Sequence, residues 1–98
     1  MIIMQGDAYY IPFLFFDDDE TQITDDMVTE VEIQFGGLKK TMSSGEITYS
    51  DGEFLFPLTQ AESSGMVGTV KVLAWLTFTN GDRIGASFGH VIVLGATS

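Results

Sequence analysis

Ninety-eight residues carry four Lys or Arg against fourteen Asp or Glu, a formal charge of −10, so the basic footprint that nucleic acid or an anionic membrane surface requires is missing. The absence of cysteine excludes a thiolate nucleophile, a disulfide framework and a Cys-based zinc site, and leaves packing as the source of stability. A 45% hydrophobic fraction with eight Phe, three Tyr and one Trp excludes a disordered chain, and the length suits one domain spanning 1–98.

Residues 1–7 hold neither a basic region nor a long apolar stretch, so no signal peptide is expected. The apolar run 9–16 is too short to cross a bilayer and is followed at once by acids. A soluble protein made in the cytoplasm is the expectation.

Residues 8–16 are dense in aromatic and β-branched side chains and predict a first strand. Their continuous apolarity suggests cover on both faces, or passage between two sheets. Pro12 cannot donate to a ladder, which places that strand at an edge or at a bulge. Residues 17–22 read as a polar turn. Residues 31–35 alternate, with Val31, Ile33 and Phe35 inward and Glu32 and Gln34 in water. Gly36-Gly37 ends that strand. Residues 39–42 and 46–49 read as short strands hinged at Ser43-Ser44-Gly45. Ser50-Asp51-Gly52 is a further turn, and residues 53–58 follow as a strand with Phe54 and Phe56 on one face.

Residues 59–65 are the one helical segment, a single turn. Thr59 with Glu62 three positions on forms a capping-box pattern, and Gly65 supplies the stop. Residues 70–78 predict the longest strand, which reaches the tight-turn signal Asn80-Gly81. Residues 83–88 return antiparallel. Gly89 and His90 then lead into a last strand over 91–94. About seven or eight short strands in under a hundred residues predict an all-β sandwich, favoured over a closed barrel.

Little in this pattern can carry catalysis. His90 is the only histidine, and no serine sits in a G-x-S-x-G elbow. Nearly all the carboxylates lie in turns rather than inside a predicted cleft, whereas a glycosidase needs two held on rigid elements. No phosphate-binding glycine loop is present. No catalytic residue and no cofactor are expected. If a cation binds, its ligands would come from Asp17, Asp19, Asp25 and Asp26, because Ca²⁺ takes hard oxygens from such loops. The spacing departs from an EF-hand, and a solvated acidic turn is the favoured reading.

A surface for partners is the remaining candidate. With Val70, Val72, Ala74 and Leu76 inward, Leu73 and Trp75 form an outward apolar pair with the composition of an interface. The opposite assignment of faces, or cover on both, is also open.

Read in order, Gly6-Asp7, the acidic turn before Ile23-Thr24-Asp25, the segment 52–62, the Gly-ended turn and Asn80-Gly81-Asp82 form a recognisable series. It resembles the immunoglobulin-like N-terminal domain of upper-baseplate and related tail proteins of phages of Gram-positive bacteria. The resemblance covers nearly the whole chain and rests on turn order and strand spacing. It implies an immunoglobulin-like antiparallel sandwich and a virion or prophage structural part. Such a part docks on other protein subunits and assembles as an oligomer, with no enzymatic residues. The alternative function is a ligand-binding sandwich of carbohydrate- or Ca²⁺-dependent adhesion type, in which Trp75 with Tyr9 or Tyr10 would stack on a sugar.

Overall fold

Two sheets stack face to face in the computed structural model, which describes residues 2–6, 8–17 and 19–95. For Ile2, Ile3, residues 86–91 and Val93 the description is of the backbone only. In chain order the elements are β1 (Ile2–Met4), β2 (Tyr9–Phe13), a 3₁₀ turn (Asp25–Met27), β3 (Val28–Phe35), β4 (Leu38–Thr41), β5 (Thr48–Ser50), β6 (Glu53–Leu58), α1 (Gln60–Ser64), β7 (Gly68–Phe78) and β8 (Arg83–Leu94). The large sheet runs β1-β8-β7-β3-β4 and the small one β2-β6-β5. All pairings are antiparallel except β1 with β8. This is the strand order of an immunoglobulin-like sandwich: β2, β6 and β5 stand as B, E and D, and β8, β7, β3 and β4 as G, F, C and C′.

The inward residues of both sheets make one core. Val31, Ile33 and Phe35 of β3 meet Phe54, Phe56 and Leu58 of β6, with Val72 and Ala74 of β7 beside them, all fully buried or nearly so. Aromatic rings bridge the layers. Phe35 stacks across the gap on Phe56 at 5.6 Å between centroids, and within the small sheet Phe13 meets Phe56 edge-on at 6.4 Å. Period-two alternation in β3, β6 and β7 puts these residues on one face of each strand, and burial of that face drives the fold.

Local chemistry places the turns. The Gly36-Gly37 turn joins β3 to β4, with Gly36 at φ +61° and its Cα facing Val70. A Cβ at Gly36 would stand 3.0 Å from Val70 Cγ1. Gly36→Ala is therefore expected to lower the unfolding free energy by about 1–2 kcal/mol, measured by urea denaturation. The predicted helical turn is present as α1. The Glu62 amide donates to Thr59 Oγ1 at 3.2 Å, the Thr59 amide donates to Glu62 Oε1 at 2.9 Å, and Gly65 is the C-cap. Residues 42–47 carry the chain from β4 in one sheet to β5 in the other, so the two short strands on either side of Ser43-Ser44-Gly45 never pair with each other.

Two expectations are corrected and one strand is new. Residues 8–16 are not covered on both faces: Ile11, Phe13 and Phe15 are buried while Tyr10, Pro12, Leu14 and Phe16 are exposed. The segment is an edge strand, β2, as Pro12 predicts, followed by a lone bridge between Phe16 and Gln22. Residues 83–94 form one strand rather than two, and β8 exceeds β7 in length. Gly89 and His90 do not break it, because a register shift opposite Lys71 and Leu73 absorbs an extra residue. β1 was not foreseen. Three residues are too few to show a period, and the partner strand lies at the far end of the chain.

Candidate interaction surfaces

The two outer faces of the sandwich hold the candidate residues, and they lie on opposite sides of the molecule. On the large sheet, Leu73 and Trp75 of β7 do face outward, away from Val72, Ala74 and Leu76, and are half-buried. Neighbours explain the partial cover of Trp75. Its indole lies over Gly85 of β8, where a Cβ would meet Cδ1 and Nε1 at 3.0 Å. The Arg83 guanidinium sits 5.5 Å from its ring centroid. Arg83 also donates to Glu32 Oε2 at 3.1 Å, and Lys39 Nζ lies 3.7 Å from Glu32 Oε1. Trp75 thus sits in a polar frame laid across β4, β3, β7 and β8.

The small sheet presents a different surface. Tyr10 is 73% exposed, Leu14 43% and Phe16 58%, and all three point outward from one edge segment. Pro12 stands between Tyr10 and Leu14, and on β6 Pro57 is the cross-strand neighbour of Tyr10 and Leu55 that of Pro12. A shallow groove of about 250 Å³ opens beside Tyr10, lined also by Tyr9, Pro57, Thr59 and Gln60. The sequence reading missed this row. Alternation of Tyr10, Pro12, Leu14 and Phe16 against Ile11, Phe13 and Phe15 was visible, but both sets are apolar, so hydropathy gives no direction. Tyr9 faces the core side and accepts a hydrogen bond from the Met4 amide at 2.9 Å. Tyr10 and Trp75 sit on opposite faces and cannot stack on one sugar.

The acidic turn is organised by its own backbone. Asp17 Oδ1 accepts from the amides of Asp19 and Thr21, both at 2.9 Å. Gln22 hydrogen-bonds the Gly52 carbonyl and draws the turn beside Asp51 and Glu53. Asp25 and Asp26 lie in the 3₁₀ turn, where Asp26 accepts from the Thr24 hydroxyl. Among the described residues, no three carboxylates converge on a point that could hold a metal ion. Asp18 and the side chain of His90 lie outside the described residues.

Charge closes the seam between the sheets. Lys40 points inward from edge strand β4. Its Nζ donates to the Pro57 carbonyl at 2.6 Å and to Glu62 Oε1 at 2.7 Å, and lies 5.2 Å from the Phe56 ring centroid. β5 covers β6 only as far as Leu55, so the Pro57 carbonyl, turned away from β2, is free to accept this bond. Burial raises the Glu62 pKa, but the bonds from Lys40 and Thr59 outweigh it and hold the carboxyl below its ordinary value. Glu30 follows the same balance. Burial raises it, while the Ser43 hydroxyl and the amides of Ser43, Val31 and Met42 lower it further.

No protein-family model and no curated protein sequence matches this chain.

Proposed function

We propose that the chain is a non-enzymatic assembly module that docks on neighbouring protein subunits, of the kind that builds a phage or prophage tail or baseplate. The observation that carries this reading is the row of Tyr10, Leu14 and Phe16, three large apolar side chains exposed in line on one edge segment. Scattered exposed apolar residues are ordinary, whereas a contiguous row is the composition of an interface centre. The resemblance of the turn order to tail proteins supports the same class. The acids of residues 17–20 begin where the row ends, and the four Lys and Arg all belong to β4, β7 and β8 of the large sheet. A partner for this face is therefore one that offers an apolar patch with a basic rim.

The test is recovery of the tagged chain from its native host, beside the double variant Tyr10→Ser, Phe16→Ser. A stoichiometric structural partner that the double variant loses, with its thermal midpoint unchanged, is the expected outcome. The same recovery with both chains would sink the reading. The groove beside Tyr10 and Pro57 favours one other reading, a ligand-binding module. In that case a glycan, with or without Ca²⁺, raises the thermal midpoint through binding to the native state.

A further inference from the structure

A regular stretch of sheet edge lies open on β8. On one side β8 pairs with β7 along its length, while on the other β1 meets it only at Ile92, Val93 and Leu94. Among the described residues no strand pairs with 83–91 on that side. The hairpin closes with the Phe78 amide donating to the Asp82 carbonyl at 2.8 Å. Antiparallel pairs alternate between bonded and non-bonded. Leu76 with Ile84 and Ala74 with Ala86 therefore bond each other, and the backbone groups of Arg83, Gly85 and Ser87 point away from β7. Such a row of free amides and carbonyls is a template for another strand.

The other edges are blunted. Pro12 interrupts β2, and β4 carries Lys39 and Lys40. β5 has three residues and lies between Glu46 and Asp51, and β1 also has three. Residues 84–91, by contrast, contain no Asp or Glu. In a chain of charge −10 that stretch is where a second copy can approach without setting carboxylates opposite each other. The register shift beyond Ser87 limits the regular part to residues 83–87.

We propose that residues 83–87 of β8 pair antiparallel with the same residues of a second copy of this chain, about a two-fold axis at Gly85; this names one partner within the assembly reading and rests on it. Arg83 of each copy then faces Ser87 of the other, and the outward amides and carbonyls of both strands are satisfied. A two-fold axis makes such a contact self-complementary. The Trp75 indole lies over Gly85, so the two indoles flank the axis on one face of a continuous sheet.

Sedimentation and light scattering over a concentration series test this directly, with hydrogen exchange at Gly85 and Ser87. The mass is expected to rise from 10.7 kDa to twice that value. The two amides slow as dimer forms, and fluorescence of Trp75, the single tryptophan, shifts over the same range. Ser87→Pro removes an outward donor and leaves the bonds to β7 in place, so it is expected to stay folded and monomeric, while Ser87→Ala dimerises like the parent. A parent chain that remains monomeric at millimolar concentration with both amides exchanging freely overturns the proposal, whatever the fate of the proline variant. So does a folded Ser87→Pro that still dimerises. Either result leaves the Tyr10 and Phe16 test of the assembly reading standing, because that face lies on the other sheet.

Discussion

Phe56→Ala is expected to lower the free energy of unfolding by about 3–5 kcal/mol, read as a drop in the denaturant midpoint at unchanged slope. Phe56 has no exposed surface and sits where the two sheets come closest in ring contacts. It stacks on Phe35 from the large sheet, meets Phe13 from its own, and carries the Lys40 ammonium over its face. Truncation removes the transfer free energy of the ring and leaves a cavity whose walls are themselves aromatic and held by other strands. They cannot collapse into it without moving a strand. The loss amounts to a fifth or more of the roughly 5–15 kcal/mol that a domain of this size commands. Tyr10→Ala is the control. Its ring projects into solvent from the same sheet, so the change should stay within about 0.5 kcal/mol. A Phe56→Ala penalty near that of Tyr10→Ala would show that the inter-sheet aromatic cluster is not the centre of the core.

How far the sequence foretold this depends on whether each strand has one polar face. β3 does: Glu32 and Gln34 between Val31, Ile33 and Phe35 fix its direction, and those three are fully buried. The capping pair Thr59 and Glu62 was legible for a similar reason, since a two-sided hydrogen bond at fixed spacing has few alternatives. β2 was legible as an edge strand from its composition and Pro12, but the direction of its faces was not, because Ile11 and Phe13 inward look the same as Tyr10 and Leu14 outward on a hydropathy scale. β8 reads as two strands in the sequence because Gly89 resembles punctuation, where in an antiparallel pair a glycine can equally sit at a bulge. The outward position of Leu73 and Trp75 was derivable by parity, but not the Gly85 and Arg83 that cover Trp75, which arrive by cross-strand register. The inward turn of Lys40 has no signal in the sequence. Lysine is almost never fully buried unless paired, and its partner Glu62 lies twenty-two residues on, across the gap between sheets.

That pair gives the second large effect. Glu62→Ala removes the Lys40 partner and the bond from the Thr59 amide together, and is expected to cost about 3 kcal/mol. The Lys40 side chain is 8% exposed against 23% for Glu62, so the two sides of the pair are not equivalent. Losing the carboxylate strands a buried ammonium, which keeps only the Pro57 carbonyl and the Phe56 ring. Losing the ammonium leaves a carboxylate that water can still reach. Lys40→Met, which fills the same space with an apolar chain, should therefore cost no more than about 1 kcal/mol. The pH dependence has the matching sign. Glu62 and Glu30 both titrate below the ordinary value of 4.5 in the folded chain, so the unfolded state takes up protons first as acid is added. Their contribution is complete above that ordinary value and is lost as pH falls through the lowered folded one. Urea midpoints measured from about pH 7 down to about pH 3 should fall steeply for the parent chain and less steeply for Glu62→Gln. Parallel curves for the two would mean that Glu62 is not held ionised by Lys40, and equal losses in Glu62→Ala and Lys40→Met would mean that the seam is sensitive to shape rather than to charge.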